Sequence, residues 1–118
     1  MFGLDLSDIQ SIQEILGQFP EVHQALIFGS RAKGNFRPGS DIDIAIKGDE
    51  ATHSIASKIS GILNEDTIMP YHFDVLSYRE LNNKELISHI DKAGKELYNS
   101  SLLTKFSSNK IKQMESPD

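Results

Sequence analysis

The sequence contains no cysteine, which excludes disulfide bonds, thiol catalysis and cysteine-ligated zinc. It also lacks any apolar run of membrane-spanning length, and its first residues, MFGLDLSD, have neither the basic nor the apolar region of a signal peptide. We therefore expect a cytoplasmic protein that does not enter a membrane.

An excess of positive charge is absent as well. The 12 basic and 17 acidic residues leave a net charge of −5, which argues against a protein that coats long nucleic acids by neutralising phosphates. No stable, direct binding of nucleic acid is expected. Binding of small phosphate compounds is still possible, because it depends on the local charge at the site rather than on the net charge of the protein.

The length of 118 residues allows one domain. We place this domain at residues 1–98. The composition then becomes polar, with five serines among the last twenty residues, so residues 99–118 are predicted to form a flexible tail.

Hydrophobic spacing predicts three helices, three strands and a single helical turn. The resulting order is α-β-β-α-β-α, apart from that turn, and it predicts an α+β fold in which a small mixed sheet carries its helices on one face. The predicted helices cover residues 7–18, 50–63 and 83–98, the strands cover 22–28, 41–47 and 71–78, the helical turn covers 31–34, and a loop with proline and glycine covers 35–40.

The second predicted strand carries two aspartates inside the stretch SDIDIAI. Side chains alternate along a strand, so Asp41 and Asp43 share one face, while the isoleucines share the other and face the core. Two carboxylates so placed repel each other unless a cation lies between them. An isolated DxD pattern is more often a solvated strand face than a metal site, so further features are needed.

Three further features favour a site. Gly29 and Ser30 follow a buried strand and precede a helical turn, an arrangement that can bind phosphate through backbone N–H groups and a hydroxyl. Arg31, Lys33 and Arg37 follow with no acidic residue between them. In the third strand, Asp74 alternates with core residues and would join the two aspartates if the two strands are neighbours.

Three carboxylates beside a phosphate-binding turn indicate two-metal phosphoryl or nucleotidyl transfer. In such sites two ions about 3.5–4 Å apart clamp the attacking and leaving oxygens. Asp41 and Asp43 would bridge the metals, and Asp74 would either complete one metal site or accept the proton of the nucleophile. The expected ions are Mg²⁺, or Mn²⁺ in its place.

Gly29-Ser30, ten residues and then Asp41-Ile42-Asp43 match the signature of the DNA polymerase β-like nucleotidyltransferases. The longer string GSRAKGNFRPGSDIDIAI, together with FDVLSY and IDKAGKELY, resembles the minimal nucleotidyltransferases (MNT) over about residues 4–98. The resemblance implies an antitoxin that transfers AMP from Mg-ATP to a tyrosine of a partner HEPN ribonuclease toxin. It assigns nucleotide binding to Gly29 and Ser30, with Arg31, Lys33 and Ser40 as neighbours, and metal binding and catalysis to Asp41, Asp43 and Asp74.

Other functions fit less well. Asn35 stands where a Walker A loop needs lysine, and Ser30 lacks the surroundings of a hydrolase nucleophile. His72 shares the predicted face of Asp74, whereas His89 is interpreted as a surface residue. Two alternatives stay open: a non-catalytic antitoxin that blocks the toxin by binding, and transfer to a small molecule. The acceptor residue, the number of AMP units, the base preference and the oligomeric state are not determined by the sequence.

Overall fold

The computed structural model describes residues 1–101. Most of the predicted tail therefore lies outside the described residues. The elements follow in the order α1 (Leu6–Gly17), β1 (Gln24–Phe28), α2 (Ser30–Lys33), β2 (Ile42–Lys47), α3 (His53–Glu65), β3 (Phe73–Ser77), a 3₁₀ turn (Tyr78–Glu80), α4 (Lys84–Ala93) and β4 (Lys95–Asn99).

The four strands form one mixed sheet in the order β3-β2-β1-β4. β1 pairs antiparallel with β2 and with β4, whereas β2 pairs parallel with β3. A parallel pair needs a crossover connection, and α3 provides it. The predicted α+β class with a mixed sheet is confirmed.

The main core lies between one face of the sheet and the helices α1 and α3. Alternation along β2 places Ile42, Ile44 and Ile46 in this core with no exposed surface, as the sequence pattern predicts. Helix α3 begins at a capping residue, Thr52, whose hydroxyl accepts a hydrogen bond from the Ile55 N–H (3.4 Å). Every third or fourth residue of α1 and α3 then faces the sheet.

The prediction that all helices share one face is wrong for α4. Ile90 of this helix packs with Leu26, Phe28 and Ala45 on the opposite face of the sheet. This second face is the one that carries the aspartates, because Asp43 alternates with the buried isoleucines of β2. Helix α4 therefore covers the β1 side of the aspartate face.

The predicted last helix is also too long. Helix α4 ends at Ala93, and the chain turns at Gly94 into β4, an edge strand that pairs with β1. A Cβ on Gly94 would lie 2.5 Å from the carbonyl oxygen of Ile90, so this tight turn favours glycine. In β4, Leu97 and Tyr98 are buried as strand residues rather than as part of a helical stripe.

Within the described range 1–101, no helix is both long enough and apolar enough to cross a bilayer.

Candidate active site

The three predicted aspartates lie at the same end of the β2–β3 pair. Asp43 and Asp74 are register partners in parallel strands, so their backbones lie about 4.8 Å apart and their side chains share a face. Asp41 immediately precedes β2 and is exposed, as is Asp74, whereas Asp43 is partly buried. The expectation that β3 is the neighbour of β2 is confirmed.

Asp43 is the electrostatic centre of the group. Burial raises the pKa of its carboxyl, and the negative charges of Asp74 and then Asp41 raise the pKa further. His72 acts in the opposite direction and lowers the pKa of Asp43, as a nearby cation would. A carboxylate that is partly desolvated and lies near two others gains most from a cation.

His72 reaches this site. Its Nδ1 lies 3.6 Å from the Oδ1 of Asp41, and both side chains are more than half exposed. An exposed pair of this kind contributes little to stability. His72 is therefore better described as a polar neighbour of Asp41 at the open side of the site.

The Gly29–Ser30 turn lies against Asp43, because the preceding residue, Phe28, is the register partner of Asp43. Gly29 has φ 77° and ψ −152°, a conformation available almost only to glycine. A Cβ at this position would lie 2.5 Å from the Oδ2 of Asp43. Glycine is thus required twice, for the backbone conformation and for the close approach of the carboxylate.

His89 was not predicted to be near the site, yet the Gly29 N–H donates a hydrogen bond to its Nε2 (3.0 Å). The contact joins α4 to the turn across 60 positions of sequence. Neither hydrophobic spacing nor local motifs carry a signal for a contact of this range.

Asn64, at the end of α3, also supports the site, although no sequence motif predicts its role. Its side-chain amide accepts from the N–H of Phe73 (2.7 Å) and donates to the carbonyl of the same residue (2.9 Å). Both backbone groups lie at the start of β3, next to Asp74. Asn64 thus holds the edge strand at the point where its aspartate enters the site.

Arg31 is buried and contacts the protein's own backbone, and its role in nucleotide binding stays a prediction. The residue is 3% exposed. Its Nε and Nη2 donate to the Ser40 carbonyl (3.1 and 3.0 Å), and its Nη1 donates to the Phe2 carbonyl (3.0 Å). The guanidinium also lies over the rings of Phe36 and Tyr71. With each nitrogen engaged inside the protein, Arg31 fixes the loop that leads to Asp41.

Ser40 belongs to the same arrangement. Its hydroxyl accepts a hydrogen bond from the Arg37 N–H (2.8 Å), while its carbonyl accepts from Arg31. These contacts close the loop over residues 37–40 immediately before Asp41. Ser40 stays a predicted neighbour of the nucleotide, and so does Lys33, whose side chain is exposed.

We expect Arg31→Lys to lower the melting temperature by roughly 10 °C, which corresponds to about 2 kcal/mol. Lysine keeps the charge but lacks the planar fork that binds two carbonyls at once. Thermal unfolding measures the loss. Lys33→Met is the matched control, because this cation is exposed: it should leave the melting temperature unchanged and raise KM for ATP. A stable Arg31→Lys variant with a raised KM for ATP would instead indicate that Arg31 contacts a phosphate of the nucleotide.

A divalent cation fits the chemistry of the aspartate group. Among residues 1–101 no three His, Asp or Glu side chains are already gathered as metal ligands. Burial, and then the charges of Asp74 and Asp41, nevertheless raise the pKa of Asp43, and a cation between these carboxylates would offset their repulsion. Carboxylate oxygens are the ligands that Mg²⁺ prefers.

Comparison with known proteins agrees with this geometry. The family model described as Polymerase beta, Nucleotidyltransferase matches residues 10–102. A curated relative, the protein adenylyltransferase MntA of Aphanizomenon flos-aquae, is 35% identical over 94 residues, which cover 71% of this chain and 61% of that protein. The chain thus matches about three fifths of the length of that relative.

Two solved structures share the fold. A crystal structure of a toxin–antitoxin with AMP-PNP has a TM-score of 0.55 at 22% identity, and the match covers 92% of this chain and 91% of that one. The MntA–HepT toxin–antitoxin has a TM-score of 0.51 at 20% identity, covering 94% and 92%. Since the family model extends over most of the sequence, the chain belongs to the polymerase beta nucleotidyltransferase family.

Proposed function

We propose that this chain is an antitoxin that transfers AMP from Mg-ATP to a tyrosine of a partner HEPN ribonuclease toxin and thereby neutralises the toxin. The observation that carries the proposal is the in-register pair Asp43–Asp74 beside the Gly29–Ser30 turn. The adenylyltransferase relative and the toxin–antitoxin neighbours support the choice of AMP as the group transferred and of a toxin as its acceptor.

The transfer is a displacement at the α-phosphorus of ATP. The tyrosine hydroxyl oxygen forms a bond to this phosphorus, the bond between the α-phosphorus and the oxygen bridging to the β-phosphate breaks, and pyrophosphate leaves. The proton of the hydroxyl needs an acceptor. Asp74 is suited to this role because its carboxylate is exposed while its strand is fixed by β2 and by Asn64.

Asp41 and Asp43 would hold the metal, and Asp74 would complete the site if it does not accept the proton. When bound, Mg²⁺ supplies charge neutralisation at the phosphates and activation of the attacking oxygen. The protein's own contribution is placement: β2 and β3 fix two carboxylates side by side, and Gly29 lets the turn approach Asp43 without a side chain between them. Ser30 is the first residue of α2 and directly follows Gly29, and its hydroxyl would contact the triphosphate.

The exposed side of the site supports an acceptor that comes from another protein. Helix α4 covers the β1 side of the aspartate face. On the β2–β3 side, Asp41, His72 and Asp74 are exposed. A tyrosine carried by a partner can therefore reach the carboxylates from the β3 side.

The proposal is tested by incubating the purified chain with Mg-ATP and a HEPN ribonuclease toxin, to be sought in the adjacent reading frame. We expect a mass increase of one or more AMP units on a tyrosine of that partner, and loss of its ribonuclease activity. Intact-protein mass spectrometry followed by peptide mapping measures the transfer, and chelation of Mg²⁺ should abolish it.

The open alternatives give different results in the same experiment. Protection of RNA in a stable complex without ATP, with no added mass, would indicate inhibition by binding alone. Adenylylation of an aminoglycoside by the isolated chain would indicate a small-molecule acceptor. Either result would overturn the proposal.

A further inference from the structure

Two adjacent residues of helix α4, His89 and Ile90, contact the end of β1 on the aspartate face. Ile90 is 1% exposed and packs with Leu26, Phe28 and Ala45. His89 precedes it and points toward the end of β1, where its ring meets the edge of the Phe28 ring, with 6.0 Å between centroids and 74° between planes. Packing alone thus restricts the position of the imidazole, independently of its hydrogen bond.

The hydrogen bond from the Gly29 N–H defines the state of this imidazole. Because Nε2 is the acceptor at 3.0 Å, it carries no proton, and a neutral ring then carries its proton on Nδ1. The bond also occupies the one polar hydrogen of Gly29. The contribution of Gly29 to the site is therefore its conformation and its missing side chain, and not a backbone N–H offered to a phosphate.

We propose that His89 is a positioning residue of the nucleotide site: by accepting the Gly29 N–H it fixes the Gly29–Ser30 turn against Asp43 and makes α4 a wall of that site. The inference rests on the proposed function only in that the turn binds ATP. Gly29 has a backbone conformation that costs energy in any other residue and has no side chain to hold it. The Gly29 carbonyl accepts the Lys33 N–H of α2 (3.2 Å), and the imidazole anchors the other side of the residue, its N–H.

The functional test compares two substitutions at one position. His89→Leu removes the acceptor, so the turn loses its anchor, and KM for ATP should rise about 10-fold, as for other residues that orient a ligand-binding group. His89→Gln places an amide oxygen close to the position of Nε2 and should restore KM to within about 3-fold of wild type. In both variants kcat should change less than KM, because the aspartates are untouched.

Glu85→Gln is the matched control. Glu85 is exposed and lies one turn earlier on α4, so the substitution should change neither KM nor kcat. Equal values of KM for the leucine and glutamine variants of His89 would overturn the proposal, since a role in packing alone does not depend on an acceptor atom.

A second measurement needs neither activity nor a variant that folds. In uniformly ¹⁵N-labelled wild-type protein, a ¹⁵N–¹⁵N coupling across the hydrogen bond should join the Gly29 amide to the His89 Nε2, and the Nε2 shift should be that of an unprotonated nitrogen. Absence of the coupling, with a protonated Nε2, would overturn the proposal. If the chain transfers no AMP but the coupling is present and His89→Leu weakens ATP binding by calorimetry, the proposed function fails and this inference stands.

Discussion

Asp43→Asn should reduce AMP transfer by about 10³-fold or more, the largest loss expected from any single isosteric change in the site. Asp43 is the central carboxylate, in register with Asp74 and in contact range of the Gly29 turn. The amide keeps the shape of the side chain but loses the negative charge and one of the two anionic oxygens that a metal needs. The rate of AMP incorporation into the partner protein measures the loss.

The same substitution should not damage the fold. The pKa of Asp43 is raised in the folded protein by burial and then by Asp74 and Asp41. A carboxyl whose folded pKa exceeds its unfolded pKa costs stability as the pH rises from the unfolded to the folded value, and the cost persists at higher pH. Asp43→Asn removes this cost. Without metal, its melting temperature should equal or exceed that of wild type at pH 7, and the difference should shrink on acidification.

The response of the melting temperature to Mg²⁺ distinguishes the loss of a metal ligand in Asp43→Asn from a general change in charge. Mg²⁺ with ATP should raise the melting temperature of wild type and leave that of Asp43→Asn nearly unchanged, because only a site that binds the ligand gains stability from it. Asp49→Asn is the matched control: Asp49 is exposed just beyond the opposite end of β2, so its activity and its response to Mg²⁺ should be those of wild type. Full activity in Asp43→Asn would remove this aspartate from the mechanism.

Local patterns were sufficient for the elements that carry the aspartates. Ile42, Ile44 and Ile46 alternate with Asp41 and Asp43, so the core face of β2 and its polar face follow from a period of two. The same logic placed Asp74 opposite Phe73 and Val75. The three aspartates come together only because β2 and β3 are paired. Local patterns do not predict which strands pair.

The last element shows where local reasoning fails. Leu97 and Tyr98 continue the helical spacing of Leu86, Ile87 and Ile90, so the pattern extends the helix through a position where the chain turns. The alternation that marks a strand is missing, because Lys95 and Glu96 are both exposed at the edge of the sheet. Only pairing with β1 makes the segment a strand, and such pairing is not local. Gly94 was the one residue that signalled a break.

Arg31 and His89 make contacts that local patterns do not predict, for a related reason. A cation next to a phosphate-binding turn and a histidine on a helix both have common interpretations, a phosphate contact and a surface residue. Their observed roles depend on partners that are distant in sequence: Arg31 donates to Phe2, 29 positions away, and His89 accepts from Gly29, 60 positions away. Residue type suggests the chemistry of the site, but only tertiary packing shows that these two side chains bind the protein's own backbone.

Gly29→Ala should have the second largest effect, a loss of ATP binding of about 10²-fold together with lower stability. The added Cβ would lie 2.5 Å from the Oδ2 of Asp43, a distance at which either the turn or the carboxylate must move. The backbone conformation, φ 77° with ψ −152°, adds about 1–3 kcal/mol of strain for a residue with a side chain. Isothermal calorimetry with a non-hydrolysable ATP analogue measures the binding, and thermal unfolding measures the strain.

Gly34→Ala distinguishes the effect of crowding at Asp43 from the effect of backbone strain. Gly34 also has a positive φ, 84°, but a Cβ there would meet no atom within 4 Å. This substitution should therefore cost only the backbone strain, about 1 kcal/mol, and leave ATP binding within about 2-fold of wild type. If the two alanine variants lose binding equally, crowding of Asp43 is not the reason that Gly29 is required. If Gly29→Ala binds the analogue as tightly as wild type, the turn does not form part of the nucleotide site, whatever the cost in stability.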